Sequence, residues 1–107
     1  MKIITTPQLD FQSVLIRPKR TTISSRSQVD LVRNITFPHS TLLWEGVPII
    51  AANMDTTGTF NVYDELVKHK MITCFNKFYN LNDYKKRFEK SPLDPNYYMV
   101  SCGINES

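Results

Sequence analysis

The stretch VPIIAANMDTTGTF, residues 47–60, sets the fold class of this chain. From Val47 to Met54 its Val-Pro-Ile-Ile-Ala-Ala core is a continuous apolar run, the pattern of a strand buried on both faces of a parallel sheet. DTTGT, residues 55–59, is a polar turn, and Thr59 is placed to cap a following helix. In FNVYDELVKHK, residues 60–70, Phe60, Tyr63, Leu66 and Val67 recur at helical spacing. Lys68, His69 and Lys70 put positive charge in the last turn, where the helix dipole favours it.

Toward the C-terminus, MITCF, residues 71–75, is a second short apolar run, and NKFYN follows it as a loop. LNDYKKRFEK, residues 81–90, reads as an amphipathic helix with Asn82 as its cap and Pro92 and Pro95 as its stop. YYMVSCG, residues 97–103, reads as a third strand. The order from residue 47 is β-α-β-α-β, which implies parallel strands joined by right-handed crossovers. Toward the N-terminus, VDLVRNITF, residues 29–37, alternates as a half-exposed strand does, and a turn is expected at Glu45-Gly46. Residues 1–28 read as irregular and extended. In them Phe11, Val14, Leu15 and Ile16 are expected to form an apolar knot ended by Pro18. The basic patch Arg17–Arg20 follows, then a polar loop of Ser24, Ser25 and Ser27 around Arg26.

Size limits what this pattern can build. The chain has 107 residues, whereas a (β/α)8 barrel needs about 250, so it can hold a small core but not a closed barrel. The net charge of +3 is concentrated early, in Arg17, Lys19, Arg20, Arg26 and Arg33. That balance suits a ligand with phosphates as well as nucleic acid, and equally a solvated basic face. Cys74 and Cys102 each lie in an apolar run and read as small buried residues, with no CxxC pairing. The start, MKIITTPQLDF, lacks the apolar stretch of a signal peptide. No run approaches the roughly 18 apolar residues of a membrane span. A reducing, cytoplasmic setting is expected.

In a parallel α/β sheet, ligands gather at the carboxyl ends of the strands. Those ends are Asn53-Met54-Asp55, Asn76-Lys77 and Ser101-Cys102-Gly103. Lys77 could neutralise a phosphate or polarise a reacting group there; a solvated loop lysine is the plainer reading. Asp55 admits three roles: helix cap, loop orienter or reacting group. Ser25-Arg26 could hold a phosphate through a guanidinium fork, or form a surface turn. His39 and His69 stand alone without a partner at ligand spacing and read as structural; no metal site is expected. Asp55-Thr56-Thr57-Gly58-Thr59 after an apolar strand also resembles the nucleophile loop of haloacid-dehalogenase-like phosphotransferases. That match is short, and Asn53 and Met54 stand where such a strand is usually apolar.

A longer resemblance covers nearly the whole chain. LDFQSVLIRPKRTTISSRSQVDL, residues 9–31, is similar to the opening of the GMP reductase branch of the IMP dehydrogenase/GMP reductase family. So is VPIIAANMDTTGTF, residues 47–60. NKFY, residues 76–79, sits where that family has His-Lys-His-Tyr, and VSCG, residues 100–103, resembles the end of its third strand. IMP dehydrogenases usually insert a CBS-domain pair where SPLDPN, residues 91–96, stands here. They also tend to read Ser-Ser-Pro-Met-Asp in place of Ala51-Ala52-Asn53-Met54-Asp55. Both features favour the reductase branch over an IMP dehydrogenase fragment.

The resemblance implies the N-terminal portion of a (β/α)8 TIM barrel, with residues 1–46 an extension and residues 47–107 the first three barrel strands. It implies NADPH-dependent reductive deamination of GMP to IMP and ammonia, through cysteine attack at C2 of the purine and hydride transfer. It assigns Ser25, Arg26 and Lys77 to NADPH and Met54 to the purine nucleotide. It further implies a homotetramer and, at positions after Ser107, the catalytic cysteine and a K+ site. On this reading Cys102 is not the nucleophile, and residues 1–107 alone are expected to be inactive or to associate with full-length subunits. Asn76 and Phe78 depart from the family histidines and change the charge around Lys77.

Overall fold

The computed structural model describes residues 5–104. The first residues of the MKIITTPQLDF start and the chain end at Ser107 lie outside them. The protein is a mixed α/β structure with two sheets. An antiparallel hairpin, β1 (Arg33–Thr36) and β2 (Leu43–Gly46), precedes a parallel sheet of β3 (Ile50–Ala51), β4 (Ile72–Phe75) and β5 (Tyr98–Val100), in the order β3-β4-β5. Helix α1 (Phe60–Leu66) joins β3 to β4, and α2 (Leu81–Lys90) joins β4 to β5.

The helices form where the sequence supplies caps. The Thr59 hydroxyl accepts from the Val62 N–H at 3.2 Å and opens α1. That helix runs into a 3-10 turn, Val67–His69, and ends at Lys70 in the left-handed region (φ 56°). Helix α2 is capped by Asn80 rather than Asn82. The Asn80 Oδ1 accepts from Asn82 and Asp83, and the Asp83 carboxylate accepts from the Asn80 N–H, a reciprocal capping box. The asparagine that precedes the helix has the extended backbone a cap requires.

Phe75 is fully buried at the centre of the core. Its ring meets those of Phe60, Tyr63, Tyr79, Tyr84 and Tyr98 at centroid distances between 4.9 and 6.2 Å, most of them edge-on. This cluster, with Leu93, fixes both helices to one face of β4 and β5. Arg87 on α2 is also buried. It pairs with Asp64 on α1, donates to the Ser91 carbonyl at 2.5 Å and lies 6.0 Å from the Phe60 and Tyr63 ring centroids. That arrangement satisfies a charge the core would otherwise leave stranded.

The hairpin closes the amino end of the parallel sheet. Buried Trp44 donates its indole N–H to the Asn96 carbonyl at 2.7 Å, just before β5. The Tyr97 hydroxyl donates to the Glu45 carbonyl at 3.1 Å, and Lys70, before β4, pairs with the Glu45 carboxylate at 2.5 Å. That hydrogen bond and charge hold the Lys70 ammonium above its ordinary pKa. Ile35, Phe37, Trp44 and Pro48 meet Ile50, Ile72 and Met99 around an apolar recess on the face of the sheet opposite the helices.

Four expectations need correcting. The stretch 47–54 is not a long strand buried on both faces: only Ile50–Ala51 is regular, and Ile50 is 53% exposed. Pro48 has no N–H to give a ladder, and β3 is an edge strand whose far face is only partly covered. The chain still follows β4 through Val47 N to Lys70 O (2.9 Å) and Ile72 N to Ile49 O (3.1 Å). Glu45-Gly46 lies in β2, not in a turn; the reversal comes at Pro38-His39-Ser40, where Ser40 N donates to Phe37 O. Phe11, Val14, Leu15 and Ile16 form no knot. Every residue from Thr5 to Leu31 is exposed, because no described residue folds back onto this arm, and the radius of gyration of 18.4 Å exceeds the roughly 13 Å usual for this length. Cys102 is exposed and Cys74 half-buried, since both sit near the open face and end of the sheet. No helix among the described residues is long and apolar enough to cross a membrane.

The two core tyrosines should respond differently to loss of their hydroxyls. Burial raises the pKa of both above the ordinary phenol value. The Tyr63 hydroxyl accepts from the Asp94 N–H at 2.7 Å, whereas the buried Tyr84 hydroxyl has no partner among the described residues. Tyr63→Phe should cost about 1 kcal/mol and Tyr84→Phe should be neutral or stabilising. Urea denaturation of the two variants checks this, and equal losses would refute it.

Candidate functional site

The carboxyl ends of the three parallel strands converge, as the sequence pattern requires. Asn53, past β3, donates from its side-chain amide to the Ser101 hydroxyl past β5 at 3.0 Å. The same hydroxyl lies 3.6 Å from the Cys74 Sγ on β4. One polar group from each strand thus meets on the face away from the helices.

A second set of bonds joins the loops above those ends. The Met54 carbonyl accepts from Thr57 N (3.1 Å) and Gly58 N (2.7 Å), folding residues 54–58 into a tight turn. The Gly58 carbonyl in turn accepts two bonds from Asn76, from its backbone N–H at 3.0 Å and its side-chain amide at 2.9 Å. The Asn76 Oδ1 accepts from Phe78 N at 3.1 Å. Asn76 is 5% exposed. Gly58 is needed for the close approach: a Cβ there would fall 2.2 Å from the Cys74 carbonyl oxygen and 3.0 Å from both Ala52 O and Asn76 N. All three are backbone atoms, so nothing can swing aside.

Lys77 is exposed between the two ends of this latch, its Nζ 5.7 Å from the Phe78 ring centroid. It forms no salt bridge among the described residues. Met54 is 60% exposed on the neighbouring loop. Lys77 and Met54 therefore belong to adjacent, hydrogen-bonded loops at one end of the sheet. Ser25 and Arg26 are elsewhere, on the exposed arm. There Ser25 caps a 3-10 turn, Arg26–Gln28, and Gln28 accepts from the Ser24 and Ser25 N–H groups. The turn holds the Arg26 backbone and leaves its guanidinium exposed. Asp55 is exposed in the 55–57 turn and is not the helix cap, a task Thr59 performs. His39 and His69 are exposed and join no cluster. No group of three or more His, Cys, Asp or Glu among the described residues could hold a metal.

Gly58 and Asn76 were not singled out as linked in the sequence. A glycine inside a polar turn after a strand and an asparagine directly after the next strand were the available signals.

The parallel β-α-β-α-β unit, with polar loops gathered at its strand ends, places the chain among the α/β proteins. Comparison with known proteins narrows this class. No family model matches the chain. A GMP reductase of Serratia proteamaculans (strain 568) is 44% identical over 108 residues, covering 100% of this chain and 31% of the relative. One of Phytophthora infestans is 52% identical over 91 residues, covering 85% of the chain and 25% of the relative. One of Photobacterium profundum is 46% identical over 110 residues, covering 100% and 31%. The sequence is homologous to GMP reductases along its whole length, and it spans between 25% and 31% of the length of these relatives.

The close approach at Gly58 generates a direct test. Gly58→Ala should destabilise the fold by about 2 kcal/mol or more, because backbone must move to admit the methyl. Thermal denaturation checks it; an unchanged melting temperature would show that the two loops are looser than their contacts indicate.

Proposed function

We propose that this chain is the barrel-opening portion of a GMP reductase, which reduces and deaminates GMP to IMP and ammonia with NADPH. The observation that carries the proposal is the chain-long similarity to proteins of that name. Because the chain spans only part of their length, the activity belongs to a polypeptide that supplies the remainder. In this reading residues 1–46 are an extension and residues 47–107 carry the first three strands of a (β/α)8 barrel. The parallel order β3-β4-β5 supports it, as does the contrast between the helix-covered face of the sheet and its partly open one. A homotetramer in the cytoplasm and a K+ site in the rest of the polypeptide go with the same reading.

The residues present suit such ligands. Lys77 is an exposed cation with no salt bridge among the described residues, on a loop pinned at both ends, suited to the phosphates or carboxamide edge of a dinucleotide. Arg26, backed by the Ser25-capped turn, presents a guanidinium that matches a phosphate in a fork. Met54 offers a polarizable flank for a purine. NADPH, when bound, supplies the hydride; Lys77 and Arg26 hold its charge and orientation. Ser25 and Arg26 lie on an arm exposed throughout its described residues, so they reach a cofactor bound by a neighbouring subunit in this proposal.

The test is the polypeptide expressed from its complete gene, assayed for GMP-dependent oxidation of NADPH with release of IMP and ammonia. Lys77→Ala should lower kcat/KM for NADPH at least ~10-fold, the loss of a charge-assisted contact of about 1.5 kcal/mol or more. Oxidation of IMP with NAD+ in place of GMP reduction would move the chain to the IMP dehydrogenase branch.

A further inference from the structure

We infer that Asn76 is a positioning residue for this site: its buried carboxamide latches the Lys77 loop onto Gly58 and thereby sets where Lys77 stands relative to Met54. The inference rests on the function proposed above and adds a residue to it.

The argument starts from what holds Lys77. Its ammonium forms no salt bridge among the described residues, and it stands 5.7 Å from the centre of the Phe78 ring. The direction of the side chain therefore follows from its backbone. That backbone is bracketed. On one side, Asn76 gives two bonds to the Gly58 carbonyl, from backbone and side chain, using both acceptor positions of one oxygen. On the other, the Asn76 Oδ1 takes the Phe78 N–H, closing an Asx turn over Lys77. Gly58 donates to the Met54 carbonyl at 2.7 Å. A single chain of hydrogen bonds thus runs from Met54 through Gly58 and Asn76 to Phe78, with Lys77 enclosed in it.

The position calls for a neutral side chain with both a donor and an acceptor, and in this chain the Asn76 carboxamide supplies them. It must donate to Gly58 and accept from Phe78 at once, from a buried position next to a lysine. A carboxylate offers no donor to the Gly58 carbonyl and would bury a charge. A leucine of similar volume offers neither bond. The Met54 loop, by contrast, keeps its own bonds from Thr57 and Gly58 and the nearby Asn53–Ser101 contact if Asn76 is lost. Loss of the latch should therefore be felt by the ligand of Lys77 more than by the ligand of Met54.

The experiment is a double-mutant cycle in the polypeptide expressed from its complete gene, reading kcat and KM separately for NADPH and GMP. Asn76→Ala should lower kcat/KM for NADPH about 10-fold and leave the KM for GMP within about 2-fold. In a Lys77→Ala background the same change should add less than about 2-fold, because residues acting through one contact are not additive. Asn76→Ser, whose hydroxyl can still accept from Phe78 N, should fall between wild type and Asn76→Ala. If Asn76→Ala does not fold, the serine variant carries the cycle. Equal losses toward both substrates, or losses that multiply with those of Lys77→Ala, would overturn the inference and leave Asn76 a general stabiliser. A wild-type protein that does not oxidise NADPH with GMP would sink the proposed function together with this inference. An active wild type that is indifferent at Asn76 would sink the inference alone.

Discussion

The packing of helices on the sheet depends on the burial of one ring. Phe75 ends β4 fully enclosed, with rings from α1, α2, β5 and the loop after β4 around it. Aromatic side chains bury large areas and prefer edge-on contacts, so the cluster fixes orientation as well as adhesion. In a sheet of three short strands, regular backbone pairing is limited to a few residues per strand. Side-chain packing must supply the rest. Since Phe75 is followed directly by Asn76 and Lys77, the same anchor that holds the helices also fixes where the candidate site begins.

The two ends of the sheet are built for opposite tasks. At the amino end, Trp44, Tyr97 and Lys70 tie the hairpin down through contacts to backbone carbonyls and one carboxylate. Apolar side chains line the recess beneath them. At the carboxyl end the bonding partners are amides, hydroxyls and backbone groups, and these hydrogen bonds fasten the loops together with the packing of Tyr79 on Phe60 and Phe75. A hydrogen-bonded end can be both ordered and wet, which an apolar end cannot.

Much of this was legible in the sequence because the deciding signals are local. Thr59 as a cap, the helical spacing of Phe60, Tyr63, Leu66 and Val67, and the stop after Lys90 depend on neighbours within a turn or two. The β-α-β-α-β order follows from those elements, and similarity to GMP reductases was carried by whole runs of residues. What failed depends on contacts distant in sequence. Ile50 was expected to be buried, but burial of a strand face requires something on the other side. Leu15 and Ile16 look like core by composition and are almost wholly exposed, because nothing in residues 5–31 says what they pack against. Glu45-Gly46 reads as a turn by residue type, yet pairing with Arg33 and Asn34 draws it into a strand. Tertiary pairing overrides local propensity there.

Gly58 and Asn76 show the same division within a single contact. Neither residue is unusual for its place: a glycine in a polar turn, an asparagine after a strand. Their meaning appears only when β4 brings the second against the first, eighteen residues apart. The fit demands a residue without a Cβ on one side, because the Cys74 carbonyl occupies that space. On the other side it demands a neutral group that both donates and accepts. No charged side chain could make both bonds: a carboxylate has no donor for the Gly58 carbonyl, and an ammonium or guanidinium has no acceptor for the Phe78 N–H. The fastening beside Lys77 is thus neutral, made by the Asn76 carboxamide together with backbone groups, while Lys77 itself stays exposed.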